Sequence, residues 1–537
     1  MVTGAHHVRP ASARPRFRRA LRATLVLAAL AGASQAVAGE GNNGWTSIGR
    51  DGENTRSQPF ESAIGPANVA RLAPKWVATT AGDVSATPAV ARGAVYFPDW
   101  GGKLWKLDAE TGQVVWSRSI SDYTGIPDDI SRTSPSLAGN TLVVGDLLAP
   151  NLIGIDATTG DLRWITQVHP HPAGIITGSP VLAADKIYVG ISSRESTYDP
   201  AHGLTCCTFR GAVVALNAQT GQILWRSYGV PDNGGVPGRF AGGALIGPPA
   251  VDLSNGLVYA MFGNPYSEPP SVAACNAAAP NGFSESCEPP GVYWKSAVAL
   301  DLRTGAPQWS YRVLGHDPWL RACGNQPPSV TWCAAESDGE KWDLGGSGPN
   351  VLRIRADGHW RDVVGFGEKS GVYVLLDAAT GAFVWNTLVG PGGDQGGMEW
   401  GTATDGERIY APLTNHHLTP YRLTPSGTPA TAGSWAALDA TTGRINWQTA
   451  DPQTVRDLAP LTVANGVVYA GSMALTGNQM YALNAATGAI LWSFAAGSSV
   501  NAGPAVVDGT VYWGSGYSRS SFGNGNNRLY AFSVDGD

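Results

Sequence analysis

The most distinctive chemistry in this sequence lies in its sulfur and imidazole side chains. The cysteines are Cys206, Cys207, Cys275, Cys287, Cys323 and Cys333, and an even number in an oxidising compartment points to disulfides. Cys275 with Cys287, and Cys323 with Cys333, would each close a short loop. Cys206 and Cys207 are neighbours in the chain, where Cα atoms sit only about 3.8 Å apart, below the usual disulfide span. A strained vicinal disulfide is the expectation for them, with separate partners or free thiols as the alternative. His169-Pro170-His171 and His416-His417 offer imidazoles to a metal. Neither pair comes with a matched set of further ligands, and loop histidines of that kind are more often surface residues. No C-x-x-C-H phrase occurs, so the chain attaches no haem of its own. There is also no nucleophile elbow and no phosphate-cradling glycine loop in a strand-to-helix setting.

The elements that must position these groups come from a repeat, L-D-A-x-T-G-x-x-x-W. Copies end at Trp116, Trp164, Trp225, Trp309, Trp385, Trp447 and Trp492. Each keeps Asp or Asn four residues before the turn glycine and Trp four residues after it. The carboxylate or amide accepts turn N–H groups, the glycine takes positive φ, and the indole docks on the neighbouring unit. An alternating strand precedes each copy, as in Ala94-Val95-Tyr96-Phe97, and a small-residue strand near a proline precedes that, as in Ala86-Thr87-Pro88-Ala89-Val90. Four strands per unit make a propeller blade. Lys75-Trp76-Val77 has the closing Trp strand without its hairpin, and Arg528–Ser533 has a strand that then stops. Joining the two completes an eighth blade. The expected fold is therefore all-β: an eight-bladed β-propeller with Trp-docking repeats, its ring closed by N- and C-terminal strands so that no sheet edge stays open.

Composition agrees. The 537 residues include 69 Gly, 37 Pro and 19 Trp with only 15% charged residues, which suits many short strands joined by turns. Residues 1–38 read as a signal peptide: six arginines precede an apolar run, no acid appears before Glu40, and Ala36-Val37-Ala38 is a small-x-small cleavage pattern. The apolar run is too short to span a bilayer. The remainder, 39–537, reads as one propeller. Without those six arginines the formal charge moves from −6 to −12, a poor match for nucleic acid or an anionic membrane surface. Insertions at Ser193–Arg210, Pro265–Trp294, His316–Gly348 and Thr414–Ser434 carry all six cysteines, as a binding face would and a plain scaffold would not.

Four phrases give the chain a family likeness: Cys206-Cys207-Thr208-Phe209-Arg210-Gly211, Phe262-Gly263-Asn264-Pro265, Gly315-His316-Asp317-Pro318-Trp319 and Gly397-Met398-Glu399-Trp400-Gly401. Through them, and through the repeat from Gly44-Trp45 onward, the sequence resembles the quinoprotein alcohol dehydrogenases, and among these the polyvinyl-alcohol dehydrogenase branch. The resemblance implies pyrroloquinoline quinone at the propeller axis with Ca²⁺ beside it. Glu195 and Asn264 then stand as the metal's oxygen ligands. Arg132 and Thr177 stand as contacts to the cofactor's carboxylates, and Lys369 as the cation that polarises the quinone carbonyl. Cys206, Cys207, Arg210, Glu399 and Trp400 join the same cofactor site. Ca²⁺ is expected rather than a lanthanide because Leu320-Arg321-Ala322 lacks the extra carboxylate.

The chain also departs from the pattern. Leu320 stands where the family has its catalytic Asp, which leaves Asp317 as candidate base and Glu399 as its alternate. Ile246 stands at the stacking Trp, and Ser85 at a cofactor-binding Glu. The vicinal cysteines come one blade later than in better-known members. The expected activity is oxidation of secondary alcohols, polymeric ones such as polyvinyl alcohol included, in the periplasm, with electrons passing to a separate cytochrome c. Two rivals remain: a non-enzymatic scaffold of the outer-membrane protein assembly type, and a degenerate quinoprotein that binds cofactor without turnover.

Overall fold

The repeat turns fold as their chemistry dictates. Asp108 Oδ1 accepts the N–H groups of Glu110 and Thr111 at 3.1 and 2.8 Å, and Gly112 takes φ +69°. A Cβ on Gly112 would meet the Trp76 ring at 2.5 Å. The glycine therefore serves two ends, a left-handed turn and a seat for the indole of the preceding blade. That indole's N–H donates to the carbonyl of Ala109, the residue after the turn Asp, at 3.0 Å. Trp116, Trp225, Trp309, Trp385, Trp447 and Trp492 likewise donate across their seams. Trp164 packs over Gly221, but its indole nitrogen finds no partner.

The computed structural model describes residues 43–197, 207–280, 283–313, 346–356 and 358–537. In it eight four-stranded antiparallel blades form the predicted eight-bladed β-propeller. Blade 1 is Ala89–Ala91, Ala94–Pro98, Lys103–Asp108 and Val114–Ser119. The inner strands of blades 2 to 8 are Ser136–Ala138, Val181–Ala183, Ala250–Asp252, Asn350–Ala356, Ala403–Thr404, Thr462–Ala464 and Ala505–Val507. Leu72–Thr79 pairs antiparallel with Arg528–Val534 and supplies the fourth strand of blade 8, so the two ends do close the ring. Apolar clusters fill the seams between neighbouring blades.

Because strands alternate in direction, the repeat turns all lie on one face. The second-to-third-strand loops and the blade-to-blade connections lie on the other, and with them the described parts of the insertions. One insertion carries a short helix, Pro270–Ala278, bound to the turn Glu285–Cys287 by the Cys275–Cys287 disulfide, with Cα atoms 5.6 Å apart. Cys323 and Cys333 fall outside the described residues. Among the described residues no helix is long and apolar enough to cross a membrane.

Each inner strand turns an unpaired edge toward the axis, and open edges call for a partner. The segment from Trp45 to Gln58 supplies it by winding around the axis. Trp45 exchanges backbone bonds with Val90 of blade 1, and the carbonyl of Thr46 accepts from Leu137 of blade 2. Gly52, Glu53, Thr55 and Arg56 carbonyls accept from Val251, Val351, Thr404 and Val463 of blades 4 to 7. Gln58 Nε2 donates to Val506 of blade 8 at 3.0 Å. This strap floors the axis.

Candidate active site on the propeller axis

Above the strap lies a pocket whose wall obeys one register rule. Ser85, Arg132, Thr177, Ile246, Gly346 and Asn501 each stand four residues before an inner strand, in blades 1 to 5 and 8, and all line it. Trp400 and Pro460 fill the corresponding places in blades 6 and 7. The small-residue phrase before each inner strand brings these positions together. Ser134 and Ser179 lock neighbouring blades by accepting the N–H groups of Thr87 and Ser134, both at 2.9 Å. Gly346 has to be glycine for close approach, since a Cβ would lie 2.7 Å from the Trp400 ring.

The pocket is cationic and aromatic. The Arg132 guanidinium lies 4.7 Å from the Trp400 ring centroid and 5.7 Å from that of Trp100, close enough for cation–π attraction. The Trp100 indole N–H donates to Ser85 at 2.8 Å. Beneath them Arg56, 1% exposed, donates to the carbonyls of Leu461 and Ile48 and to the Thr87 hydroxyl, each at 3.0 Å. Burial lowers its pKa to about 9, which leaves it charged at neutral pH. Among the described residues no carboxylate lines the pocket and neither arginine forms an ion pair. Two polar atoms in the wall, Trp400 Nε1 and Asn501 Oδ1, are buried without a hydrogen-bond partner. The other side of the strap is opposite in character, a groove lined by Asp51, Glu53, Asp252, Asp362, Asp405 and Glu407.

The expected site residues divide. Arg132, Thr177 and Trp400 line the pocket, and Ile246 forms apolar wall where an aromatic ring was to be replaced. Lys369 and Glu399, 6% and 7% exposed, lie 4.0 Å apart beside Trp400. Cys207 is disulfide-bonded and buried in the apolar cluster that holds Ile176, Phe209 and Ala244, and it does not line the pocket. Cys206 and Asp317 lie outside the described residues. Arg210 does not line the pocket: it donates to Val230 O and Asp232 and stacks 4.0 Å over Tyr228. Glu195, 1% exposed, turns its carboxylate to the N–H groups of Thr208 and Phe209, with His171 Nε2 at 3.4 Å. Asn264 donates to Pro265 O at 3.0 Å. Neither Glu195 nor Asn264 lines the pocket. With its oxygens already used by backbone donors, Glu195 fits a Ca²⁺ shell poorly.

Three groups escaped the sequence reading. Arg56 and Asn501 reach the axis from opposite ends of the chain, and only the register rule would have flagged Asn501. Glu368, in Glu368-Lys369-Ser370, is 1% exposed and its carboxyl is pushed up to about 7, chiefly by burial, while the Ser370 hydroxyl and Lys295 oppose the rise.

Comparison with known proteins agrees with this fold. A family profile described as outer membrane protein assembly factor BamB matches residues 72–203 and 431–537, less than half of the chain. Similarity to alcohol dehydrogenases runs further. A polyvinylalcohol dehydrogenase of Sphingopyxis sp. is 28% identical, over 92% of this chain and 76% of that one. A quinohemoprotein alcohol dehydrogenase of Comamonas testosteroni is 25% identical with the same coverage. The crystal structure of the quinohemoprotein alcohol dehydrogenase from Comamonas testosteroni superposes with a TM-score of 0.70 at 21% identity, covering 92% of this chain and 81% of that one. By its repeat and by similarity along 92% of its length, the chain resembles the quinoprotein alcohol dehydrogenases and is an enzyme of that type.

Proposed function

We propose that the axial pocket binds pyrroloquinoline quinone and that the enzyme uses it to oxidise secondary alcohols. The observation that carries this reading is the pocket's character: Arg132 in the wall with the charged Arg56 beneath it, an indole face and hydroxyl donors, with no acid among the described residues of the wall. A planar polycarboxylate suits such a wall, because guanidinium binds carboxylate in a bidentate way and an aromatic face accepts a flat ring system. The unpartnered Trp400 Nε1 and Asn501 Oδ1 would gain partners from the ligand's polar edge. Bound there, the quinone would supply the acceptor for the carbinol hydride.

Within that reading the chain's own residues have separable tasks. Arg132 attracts and holds the anion while the buried charge of Arg56 assists from below, Trp400 lies against its ring, and Thr177 and Ser85 offer hydroxyls to its edge. Lys369 places a positive charge beside Glu399 and the developing negative charge. For the alcohol's proton the chain offers Asp317 and Glu399, and their Asn and Gln variants assign the task. The strap closes the axis from below, and the insertions stand on the opposite face. Given the likeness to polyvinyl-alcohol dehydrogenases, the proposed substrate is a polymeric secondary alcohol, the electron acceptor a separate cytochrome c, and the location the periplasm after cleavage of residues 1–38.

Titration of the purified protein with pyrroloquinoline quinone, with and without Ca²⁺ and followed by absorbance, tests the cofactor. A dye-coupled assay of the loaded enzyme on polyvinyl alcohol and small alcohols tests the substrate. Saturable binding and preference for the polymer are expected. Equal turnover of methanol overturns the polymer assignment. Absence of binding under both conditions overturns the cofactor and favours the scaffold reading.

A further inference from the structure

His416 and His417 do acquire the matched partner that their sequence context lacked. His416 Nδ1 lies 2.6 Å from Asp394 Oδ1, and His417 Nε2 lies 3.7 Å from the same oxygen. One donor atom from each of the three side chains falls within a 4.8 Å span. The closest pair is near enough to hydrogen-bond, yet the atoms are not aligned as one. Both Asp394 Oδ1 and His416 Nδ1 are buried atoms without a hydrogen-bond partner. Atoms that crowd together without pointing at each other are arranged as ligands converging on a shared point.

We propose that Asp394, His416 and His417 form a site for a divalent transition-metal cation of the zinc class, where the loop leading to Trp400 meets the start of the Thr414–Ser434 insertion. Two imidazole nitrogens and one carboxylate oxygen suit such a metal, whereas Ca²⁺ and Mg²⁺ take oxygen shells. Three protein ligands leave a coordination position open, and His417, 62% exposed, sets that position toward solvent.

The surroundings hold the ligands in place. The His416 carbonyl accepts from Arg456 Nε at 2.7 Å, and its ring lies 5.7 Å from Phe522. Gly393 admits that ring, since a Cβ there would meet His416 Cβ at 2.7 Å. Gly393 also donates to the Lys369 carbonyl at 3.0 Å. The metal would thus tie the loop over 391–400, which carries Glu399 and Trp400 to the pocket, to the loop that opens the Thr414–Ser434 insertion. It would act as a positioning clamp, with no redox step.

The test uses the full protein, stripped with chelator, dialysed against Zn²⁺ in the presence of excess Ca²⁺ and assayed for bound metal. One Zn²⁺ per chain is expected. Asp394→Asn and His417→Ala should each weaken binding by more than the roughly 10–100-fold that loss of an outer-shell partner costs. Zn²⁺ should raise the Tm of the wild type and of neither variant, while the chelated proteins melt alike. Wild type that binds no Zn²⁺, or variants that bind it as tightly, overturn the proposal; the second result would place the metal elsewhere, as on His169 and His171. None of these readouts depends on the quinone.

Discussion

Replacing Glu368 by Gln asks whether a buried acid beside Lys369 holds its proton near neutrality. Its Oε2 accepts the Ser370 hydroxyl at 2.9 Å, and Oε1 has no hydrogen-bond partner. The rise from 4.5 to about 7 spans about 2.5 pH units, each worth about 1.4 kcal/mol. Between those values the folded state keeps a proton that the unfolded chain has released, so folding stability falls as pH climbs. The contribution is fully present below about pH 4.5 and is lost as pH rises through about 7, a change of about 3 kcal/mol. Gln cannot titrate. It leaves a buried amide N–H to satisfy, a cost of about 1–3 kcal/mol that does not vary with pH. Urea unfolding of both proteins at several pH values from 4.5 to 8 isolates the effect, since all other titrating groups cancel in the difference. The gap should shift by about 3 kcal/mol in the variant's favour across that range. A gap constant within about 0.5 kcal/mol would refute the reasoning and mean that Lys295 fully offsets burial. If Glu368 titrates near 7, the pH–rate profile of the loaded enzyme should also lose a limb in the variant.

Other outcomes follow from the same contacts. Arg132→Gln should weaken quinone binding by about 10–150-fold, the worth of a charge-assisted hydrogen bond, whereas Arg210→Ala should leave it nearly unchanged; the absorbance titration reads both. Trp385→Phe should cost about 1 kcal/mol more in urea unfolding than Trp164→Phe, because only Trp385 has a seam hydrogen bond to lose. Gly443→Ala should destabilise by about 2 kcal/mol or more, combining positive φ with a Cβ 2.6 Å from the Trp385 ring. Gly406→Ala, also at positive φ but with open space around it, should cost only about 1 kcal/mol of backbone strain.

What the sequence revealed, and what it hid, follows from the range of each interaction. The turn of Asp108, Gly112 and Trp116 lies within nine residues, so its chemistry could be read directly and the blades counted. Ring closure was legible because the half-blades at Trp76 and Leu529 were visibly incomplete. Site residues fared less evenly, since a phrase fixes a residue's place but not its direction. Arg132 and Thr177 point to the axis, yet Arg210, in the phrase that begins with the paired cysteines, turns outward to Tyr228 and Asp232. Glu195 likewise spends its carboxylate on backbone N–H groups. Trp400 brings an indole from blade 6 to a wall that Ile246 leaves apolar. Arg56 was invisible because its partners, Thr87 and Leu461, lie 31 and 405 residues away.

The strap from Trp45 to Gln58 also bears on how the molecule comes apart. In an open array each repeat touches only its neighbours, so units can melt one after another. Here a segment near the N-terminus is hydrogen-bonded to the inner edges of seven blades, and Leu72–Thr79 completes the sheet formed by the last strand. Losing any blade therefore removes partners from the strap, and losing the strap weakens blades around the whole circle. Such coupling makes unfolding a single cooperative event. It also gives the fold a high contact order, because the first strap contacts cannot be completed until the final blade exists, and a chain interrupted partway has no smaller native state in which to rest.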